Sequence, residues 1–278
     1  MSGDRPGPVA VFDSGVGGLS VLRHVRSMLP DLDLMYIADQ AHVPYGPRPA
    51  REVRDLVTAV TRFCLQQGAR AIVLACNTAT AAALHELRAT FPQVPFVGME
   101  PAVKPGAAAT RTGKVGVLAT SGTFESQRYA DLMARFARDV VLYENPCTGL
   151  VPLIEAGRLE DEQTRALLHR CMEPMLRAGV DTIVLGCTHY PFVLPAIRSV
   201  AGSRVTIIDP APAVARQLRR VLAQNGLSAG GSGSLRAYTT GSASALAALA
   251  QRLLGYEVAV SGLRWRDGTL YRCEEVVP

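Results

Sequence analysis

Lysine is almost absent from this chain of 278 residues. The only two lysines, Lys104 and Lys114, leave few candidates for a mechanism that forms a Schiff base on a lysine amine. Arginine supplies the remaining basic charge, and the arginines stand singly within helical patterns rather than in one stripe. The formal net charge of +5 therefore gives little support to a nucleic-acid partner.

Long apolar runs are also missing. No run approaches the roughly 18 apolar residues that a membrane-spanning helix needs. Residues 1–15 lack the basic segment and apolar core of a secretion signal. Glycine and proline, at 25 and 18 residues, are too few for a low-complexity chain. We therefore expect a folded cytoplasmic protein with no membrane partner.

The six cysteines form no metal-binding pattern. They include no Cys-x-x-Cys pair and no zinc-type cluster, so we expect no bound metal and free thiols in a reducing compartment. Cys64 and Cys171 fall on the apolar faces of helices predicted over residues 52–67 and 160–178. These two cysteines are expected to be core residues without chemistry.

Short apolar runs alternate with helical patterns along most of the chain. This alternation predicts parallel strands joined by helices, the α/β class. The predicted strands are residues 9–12, 34–38, 71–75, 94–98, 115–119, 140–143, 182–186 and 205–209. After a flexible loop at 228–234 we expect one more strand and helix, followed by an irregular tail from Gly255.

An internal repeat divides the chain into two similar units. The segment GARAIVLACNTAT at 68–80 resembles GVDTIVLGCTHYP at 179–191, with an offset of 111 residues. A looser pair joins VAVFDSGVGG at 9–18 to VGVLATSGTF at 115–124. We therefore predict two similar α/β domains with parallel sheets, related by a pseudo-twofold axis, with the active site in the cleft between them.

Polar residues follow several of the predicted strands. Ligands of parallel sheets bind beyond the carboxyl ends of the strands, where helices begin. The polar segments at these positions are Asp13-Ser14-Gly15-Val16-Gly17-Gly18, Pro44-Tyr45-Gly46, Cys76-Asn77-Thr78 and Cys187-Thr188-His189. If the repeats face one another, Cys76 and Cys187 enter one cleft from opposite sides. Opposed thiols suit a racemase, because one can take the Cα proton while the other returns a proton to the opposite face.

Each of these residues also has a structural interpretation. A single buried cysteine is more often packing than catalysis, and the matched positions in the two repeats are what favour chemistry here. A thiol at a helix N-terminus is expected to have a pKa lowered toward neutrality. Asp13 could cap a helix, and His189 could be a hydrogen-bonded structural histidine. Glu155, within an apolar stretch, either reaches the cleft or caps a helix end. The glycine turn after the first strand is not a complete GxGxxG dinucleotide motif.

The motifs DSGVGGLSVL, ADxxxxPYG, ACNTAT, LVPLIEAG and GCTHYPF occur in this order. Together they resemble the cofactor-independent aspartate/glutamate racemase superfamily, and within it the glutamate racemases, over residues 9–262. The resemblance implies that Cys76 acts on the Cα proton of D-glutamate and Cys187 on that of L-glutamate. Asp13 and His189 then tune the thiols, and Glu155 assists near Cys187. The substrate-contacting positions implied are Asp13, Ser14, Tyr45, Gly46, Asn77, Thr78, Thr188 and His189.

The same resemblance implies a biological setting and a division of the chain. It implies that D-glutamate is supplied for peptidoglycan synthesis, that no cofactor is needed, and that the enzyme is a homodimer. The first domain would comprise residues 1–99 and 210–278, and the second residues 100–209. The competing hypotheses are a racemase of aspartate or another amino acid, a pyridoxal phosphate enzyme, and a non-enzymatic two-lobed amino-acid-binding protein.

Overall fold

The computed structural model describes residues 7–273, and these form two β-sheets flanked by helices. The first sheet has seven strands, and the second has four. Most neighbouring strands run parallel, as the alternating sequence pattern predicts. The predicted α/β class with two parallel-sheet units is confirmed.

The strands of the first sheet come from both ends of the described chain. They are β1 Val9–Asp13, β2 Leu34–Ala38, β3 Ala71–Leu74, β4 Phe96–Gly98, β9 Leu235–Thr239, β10 Val260–Arg266 and β11 Thr269–Arg272. The second sheet is built from one continuous stretch. Its strands are β5 Lys114–Ala119, β6 Val141–Asn145, β7 Thr182–Gly186 and β8 Thr206–Ile208. The strands lie in the order β11-β10-β9-β2-β1-β3-β4 in the first sheet and β6-β5-β7-β8 in the second.

Helices follow most strands and cover the sheets. They are α1 Leu19–Met28, α2 Ala50–Gln66, α3 Asn77–Thr90, α4 Val103–Ala109, α5 Ser121–Phe124, α6 Gln127–Phe136, α7 Leu150–Glu155, α8 Glu162–Arg177, α9 Leu194–Ala201, α10 Ala211–Gln224 and α11 Ala243–Leu254. A 3-10 helix, Tyr190–Val193, precedes α9. No helix among residues 7–273 is long and apolar enough to cross a membrane.

Both faces of the first sheet are buried along its central strands, because helices lie on each side. Along β1, Val9 and Val11 pack in the cluster that includes α1 and α10, whereas Ala10 and Phe12 pack in the cluster that includes α2 and α3. A parallel strand buried on both faces has a nearly continuous apolar sequence, and this is why β1 could be predicted from its sequence. Cys64 is fully buried in the second of these clusters, as expected of a core residue.

The two sheets repeat one strand order. In the first sheet β2, β1, β3 and β4 are neighbours in that order, and in the second sheet β6, β5, β7 and β8 are arranged in the same way. Each strand from β1 to β4 therefore has a counterpart four strands later, and β3 corresponds to β7. This correspondence agrees with the repeat at 111 residues and with the predicted pseudo-twofold arrangement.

The predicted irregular tail is wrong, because residues 260–272 form an ordered hairpin. Strand β10 pairs in parallel with β9, and β11 returns antiparallel to β10. The turn between them holds Asp267 and Gly268 at positive φ, +49° and +70°. An Asp-Gly pair between two strands is a strong hairpin signal, since both central residues of a type I′ turn need positive φ. The sequence contained this signal, but charged residues on β10 concealed the strand pattern.

The chain passes between the sheets twice. It leaves the first sheet after β4 and returns through α10 after β8. The division at residues 99/100 and 209/210 stays a prediction, and its segments 1–6 and 274–278 lie outside the described residues.

Candidate active site

The carboxyl ends of strands from both sheets face one small cavity. The lining residues are Ser14, Pro44, Tyr45, Gly46, Cys76, Asn77, Thr78, Thr120, Val151, Gly186, Cys187, Thr188 and His189. Nine of these belong to the predicted site. Asp13 and Glu155 do not line the cavity but contact residues that do.

Cys187, His189 and Glu155 form a continuous chain of side chains. His189 Nδ1 lies 3.7 Å from the Cys187 sulfur, and its Nε2 lies 2.6 Å from Oε1 of Glu155. Glu155, the last residue of α7, also accepts the Val16 N–H at 2.7 Å and the Gln40 amide at 3.0 Å. Its carboxylate therefore reaches the strand ends of the first sheet, so it is not merely a helix-end cap.

The pKa shifts of this pair favour the charged forms of both partners. Burial raises the pKa of Glu155, but the hydrogen bond and positive charge of His189 outweigh burial and lower it overall. Burial lowers the pKa of His189, whereas its contacts with Cys187 and Glu155 raise it well above its usual value. A protonated His189 presents an N–H to the Cys187 sulfur.

Asp13 joins the two sheets and does not cap a helix. Helix α1 begins at Leu19, and its N-cap residue is Gly18, which has no side chain. The Asp13 carboxylate instead accepts the Gly15 N–H at 2.9 Å and the Thr188 hydroxyl at 3.0 Å. Burial raises its pKa, opposed by His189 and by these hydrogen bonds.

Cys76 caps the helix that follows its strand. It is the N-cap of α3, and its sulfur accepts the Ala79 N–H at 3.4 Å and lies 3.8 Å from the Ser14 hydroxyl. The expectation that the helix N-terminus lowers the pKa of this thiol is wrong. Burial, with the negative charge of Asp13 second, raises the pKa of Cys76 to about 12. Removing the thiolate from water thus outweighs the hydrogen bond from the Ala79 N–H in the first turn of α3.

The side-chain amide of Asn77 has no hydrogen-bond partner among residues 7–273. Both of its polar atoms are buried. A buried amide with neither donor nor acceptor satisfied is costly unless a ligand or water completes it. Beside it, Thr78 is hydrogen-bonded at 2.9 Å to Thr120, which follows β5 of the second sheet.

The glycines after β1 permit close packing rather than phosphate binding. A Cβ atom on Gly15 would collide with the carboxylate of Glu155, and one on Gly17 would collide with His189 and Thr188. The space beside this glycine turn is therefore occupied by side chains of α7 and of the segment that follows β7. Glycine is required here because the two halves of the site approach each other at this turn.

Sequence reasoning missed several residues that complete the site. Thr120 lies in the turn of the looser repeat pair, and that repeat could have identified it. Gln40 and Val151 had no such signal, because their contacts depend on how the two sheets face each other. Among the described residues, no group of three or more His, Cys, Asp or Glu side chains could hold a metal ion.

The chain belongs to the Asp/Glu/hydantoin racemase family, whose model matches residues 18–218. Its curated relatives include the glutamate racemase of Pseudomonas aeruginosa, 58% identical over 80% of this chain and 84% of that protein. The glutamate racemase of Stutzerimonas stutzeri is 50% identical over 92% and 97% of the two chains. The chain is thus an isomerase of the glutamate racemase group.

Solved structures share the whole fold. Glutamate racemase isoform RacE1 of Bacillus anthracis matches with a TM-score of 0.85 and 33% identity, covering 95% of this chain and 99% of that one. The Escherichia coli glutamate racemase, in complex with L-glutamate and the activator UDP-MurNAc-Ala, matches with a TM-score of 0.84 and 32% identity, covering 96% and 100%. The Francisella tularensis glutamate racemase, in complex with D-glutamate, has a TM-score of 0.81 and 26% identity, covering 94% and 98%.

Proposed function

We propose that this enzyme interconverts L-glutamate and D-glutamate with two opposed cysteines. The observation that carries the proposal is that Cys76 and Cys187, from corresponding positions of the two repeats, line one small cavity. Relatives that share the fold are named glutamate racemase, and two of them have been solved with opposite enantiomers of glutamate. The substrate is therefore glutamate rather than aspartate in this proposal.

The reaction from L-glutamate begins at Cys187. Its thiolate, facing His189, takes the Cα proton and becomes a thiol, and the electron pair remains on the planar substrate carbanion. Cys76 then donates its S–H proton to the opposite face, forming D-glutamate and leaving a thiolate. The raised pKa of Cys76 keeps this thiol protonated until it is needed. The reverse reaction exchanges the two roles, and solvent exchange restores the starting protonation states.

The polar side chains around the cavity provide the substrate contacts of this proposal. Asn77 offers an unpaired donor and acceptor, suited to the α-carboxylate and amine together with Thr78 and Thr188. Ser14 and the Tyr45-Gly46 backbone suit the remaining polar groups of glutamate. Asp13 fixes Thr188 through its hydrogen bond, and Glu155 fixes His189. The acid/base work is assigned to side chains, so no metal or organic cofactor enters the mechanism.

The proposal extends to the cellular setting of the reaction. We infer that the product D-glutamate serves peptidoglycan synthesis, and thereby cell-wall growth and cell shape. The cytoplasm is the compartment of that supply, and reduced thiols need such an environment. A homodimer belongs to the same proposal.

Deuterium incorporation tests the two-cysteine mechanism. L-glutamate is incubated with enzyme in D₂O and sampled early. We expect nearly all of the D-glutamate formed to carry deuterium at Cα while the remaining L-glutamate stays mostly protiated, because each face has its own base. A single base would return captured protium to the product or label both enantiomers equally. Running the reaction from D-glutamate as well controls for slow exchange of the thiol proton.

Cysteine variants provide the matched control. We expect Cys76→Ala and Cys187→Ala each to reduce racemisation by roughly 10³-fold or more while retaining glutamate binding. Cys64→Ala is expected to keep the wild-type kcat and to lower the free energy of unfolding by about 1 kcal/mol, since this buried thiol contributes only packing. Appreciable racemisation by either catalytic variant contradicts the assignment. Racemisation of aspartate and of glutamate is monitored by circular dichroism. A faster turnover of aspartate than of glutamate would contradict the assignment of glutamate as the substrate.

A further inference from the structure

Asp39 is a fully buried carboxylate at the back of the site. It follows β2 and receives hydrogen bonds from four side chains: Tyr45 at 2.7 Å, Thr240 at 2.8 Å, Trp265 at 2.8 Å and His42 at 2.9 Å. A buried carboxylate is stable only when such donors replace its lost hydration. The direction of this carboxylate is therefore set by where its donors lie.

These donors come from three separate parts of the chain. Tyr45 belongs to the loop after β2, and Thr240 follows β9. Trp265 lies on β10, in the hairpin at the far end of the described chain, 226 residues from Asp39. The ring of His42 also packs edge-on against the Trp265 indole, with centroids 5.2 Å apart. The hairpin is thus fastened to the loop by both a hydrogen bond and an aromatic contact.

The same loop forms one wall of the active-site cavity. Tyr45 is only 1% exposed and lines the cavity, with its hydroxyl fixed by Asp39. The carbonyl of Gly46 accepts the Gly122 N–H at 3.0 Å, which ties the loop to the second sheet. The Tyr45-Gly46 wall is thus attached at the Asp39 carboxylate and at the Gly122 N–H. Removal of a donor from Asp39 therefore loosens this wall.

We propose that Trp265 is a positioning residue for substrate binding, acting through Asp39 and Tyr45. This inference rests on the proposed racemisation of glutamate. The indole N–H holds the Asp39 carboxylate, the carboxylate holds the Tyr45 hydroxyl, and the Tyr45-Gly46 wall meets either enantiomer. Cys76 and Cys187 follow β3 and β7, outside this chain of contacts. Loss of the Trp265 N–H therefore raises KM for both enantiomers with little change in kcat.

The test is Trp265→Phe, which keeps an aromatic ring and removes the N–H donor. We expect KM for L- and D-glutamate to rise roughly 10-fold with kcat within about 2-fold of wild type, because a buried acceptor loses a donor. Tyr271→Phe is the matched control, since Tyr271 lies on β11 of the same hairpin, is 52% exposed, and should leave both parameters unchanged.

A double-mutant cycle with Tyr45→Phe separates positioning from general loosening. If Trp265 acts through the Tyr45 hydroxyl, the double variant has a KM close to that of the more affected single variant. The inference would be overturned if the KM increases of the two single variants multiply in the double variant, or if Trp265→Phe leaves KM unchanged. It would also be overturned if kcat and KM change by equal factors for only one enantiomer.

A measurement on the unaltered enzyme covers the case in which Trp265→Phe fails to fold. Trp265 is the only tryptophan of the chain, so the tryptophan emission of the wild type comes from this side chain alone. We expect a saturable emission change on adding either enantiomer, with a midpoint near KM, and its absence would overturn the inference. A wild type that does not racemise glutamate refutes the proposed function. A racemising wild type with an unaffected Trp265→Phe refutes only the role of Trp265.

Discussion

The side chains of Glu155 and His189 are largely buried, with exposed fractions of 12% and 3%. The pKa of Glu155 is lowered in the folded enzyme, so its contribution to stability is present above its unfolded pKa near 4.5 and is lost as the pH falls. The pKa of His189 is raised, so its contribution is complete below its unfolded pKa near 6.5 and is lost as the pH rises toward the folded value. Both contributions are therefore complete between about pH 4.5 and 6.5.

We predict that Glu155→Gln lowers the free energy of unfolding by about 2 kcal/mol within this pH range, because a charged hydrogen bond to His189 becomes neutral. Urea unfolding of both proteins between about pH 4 and 9 provides the measurement. The difference should narrow as the pH falls below about 4.5, the unfolded pKa of Glu155, and again as the pH rises above about 6.5, the unfolded pKa of His189. A difference that stays constant with pH would show that the ion pair makes no contribution.

The sequence predicted those site residues that directly follow buried strands. Cys76, Asn77 and Thr78 are visible because polar residues end an apolar run, and parallel strands bring their carboxyl ends together. The sequence leaves the role of Glu155 open between a helix cap and a cleft residue. The deciding contact is the hydrogen bond from the Val16 N–H, which lies 139 residues away in the chain. The pKa of Cys76 was predicted in the wrong direction because burial depends on the whole assembled cavity.

The turn between β1 and α1 is the element on which the two halves of the site meet. Its glycines lie against Glu155, Thr188 and His189 of the other half. We predict that Gly17→Ala lowers kcat/KM at least 100-fold, because the added methyl displaces the imidazole that faces Cys187. Steady-state kinetics provides the measurement. Gly230→Ala, in the loop before β9, is the control and should retain wild-type rates. Wild-type rates in Gly17→Ala would mean that the turn tolerates displacement.

The strands and helices differ in how much of them the sequence revealed. Strands β2 and β7 begin and end where their apolar runs do, because both faces of each are buried. Strand β10 escaped prediction because it is only partly covered and carries arginine and serine between its apolar residues. Its identity as a strand depends on pairing with β9, and a local pattern cannot show that pairing.

Substrate that contacts both halves of the molecule should stabilise all of it. We predict that glutamate at about 100 times its dissociation constant adds about 2.7 kcal/mol to the free energy of unfolding, which raises Tm by roughly 5 °C. Cys76→Ala should show a similar rise, because binding is separable from proton transfer. Differential scanning fluorimetry checks both, with aspartate as the comparison ligand. An equal rise with aspartate would mean that the cavity does not select for chain length.

The order of strands in the first sheet has a consequence for synthesis of the chain. Strand β9 lies beside β2, yet some 200 residues are made between them, including the whole second sheet. The second sheet comes from one continuous stretch and can close as soon as it leaves the ribosome. Until residues 235–239 emerge, β2 keeps an open hydrogen-bonding edge on a strand whose residues are all apolar. The nascent enzyme is therefore open to pairing with other chains at this edge for most of its synthesis.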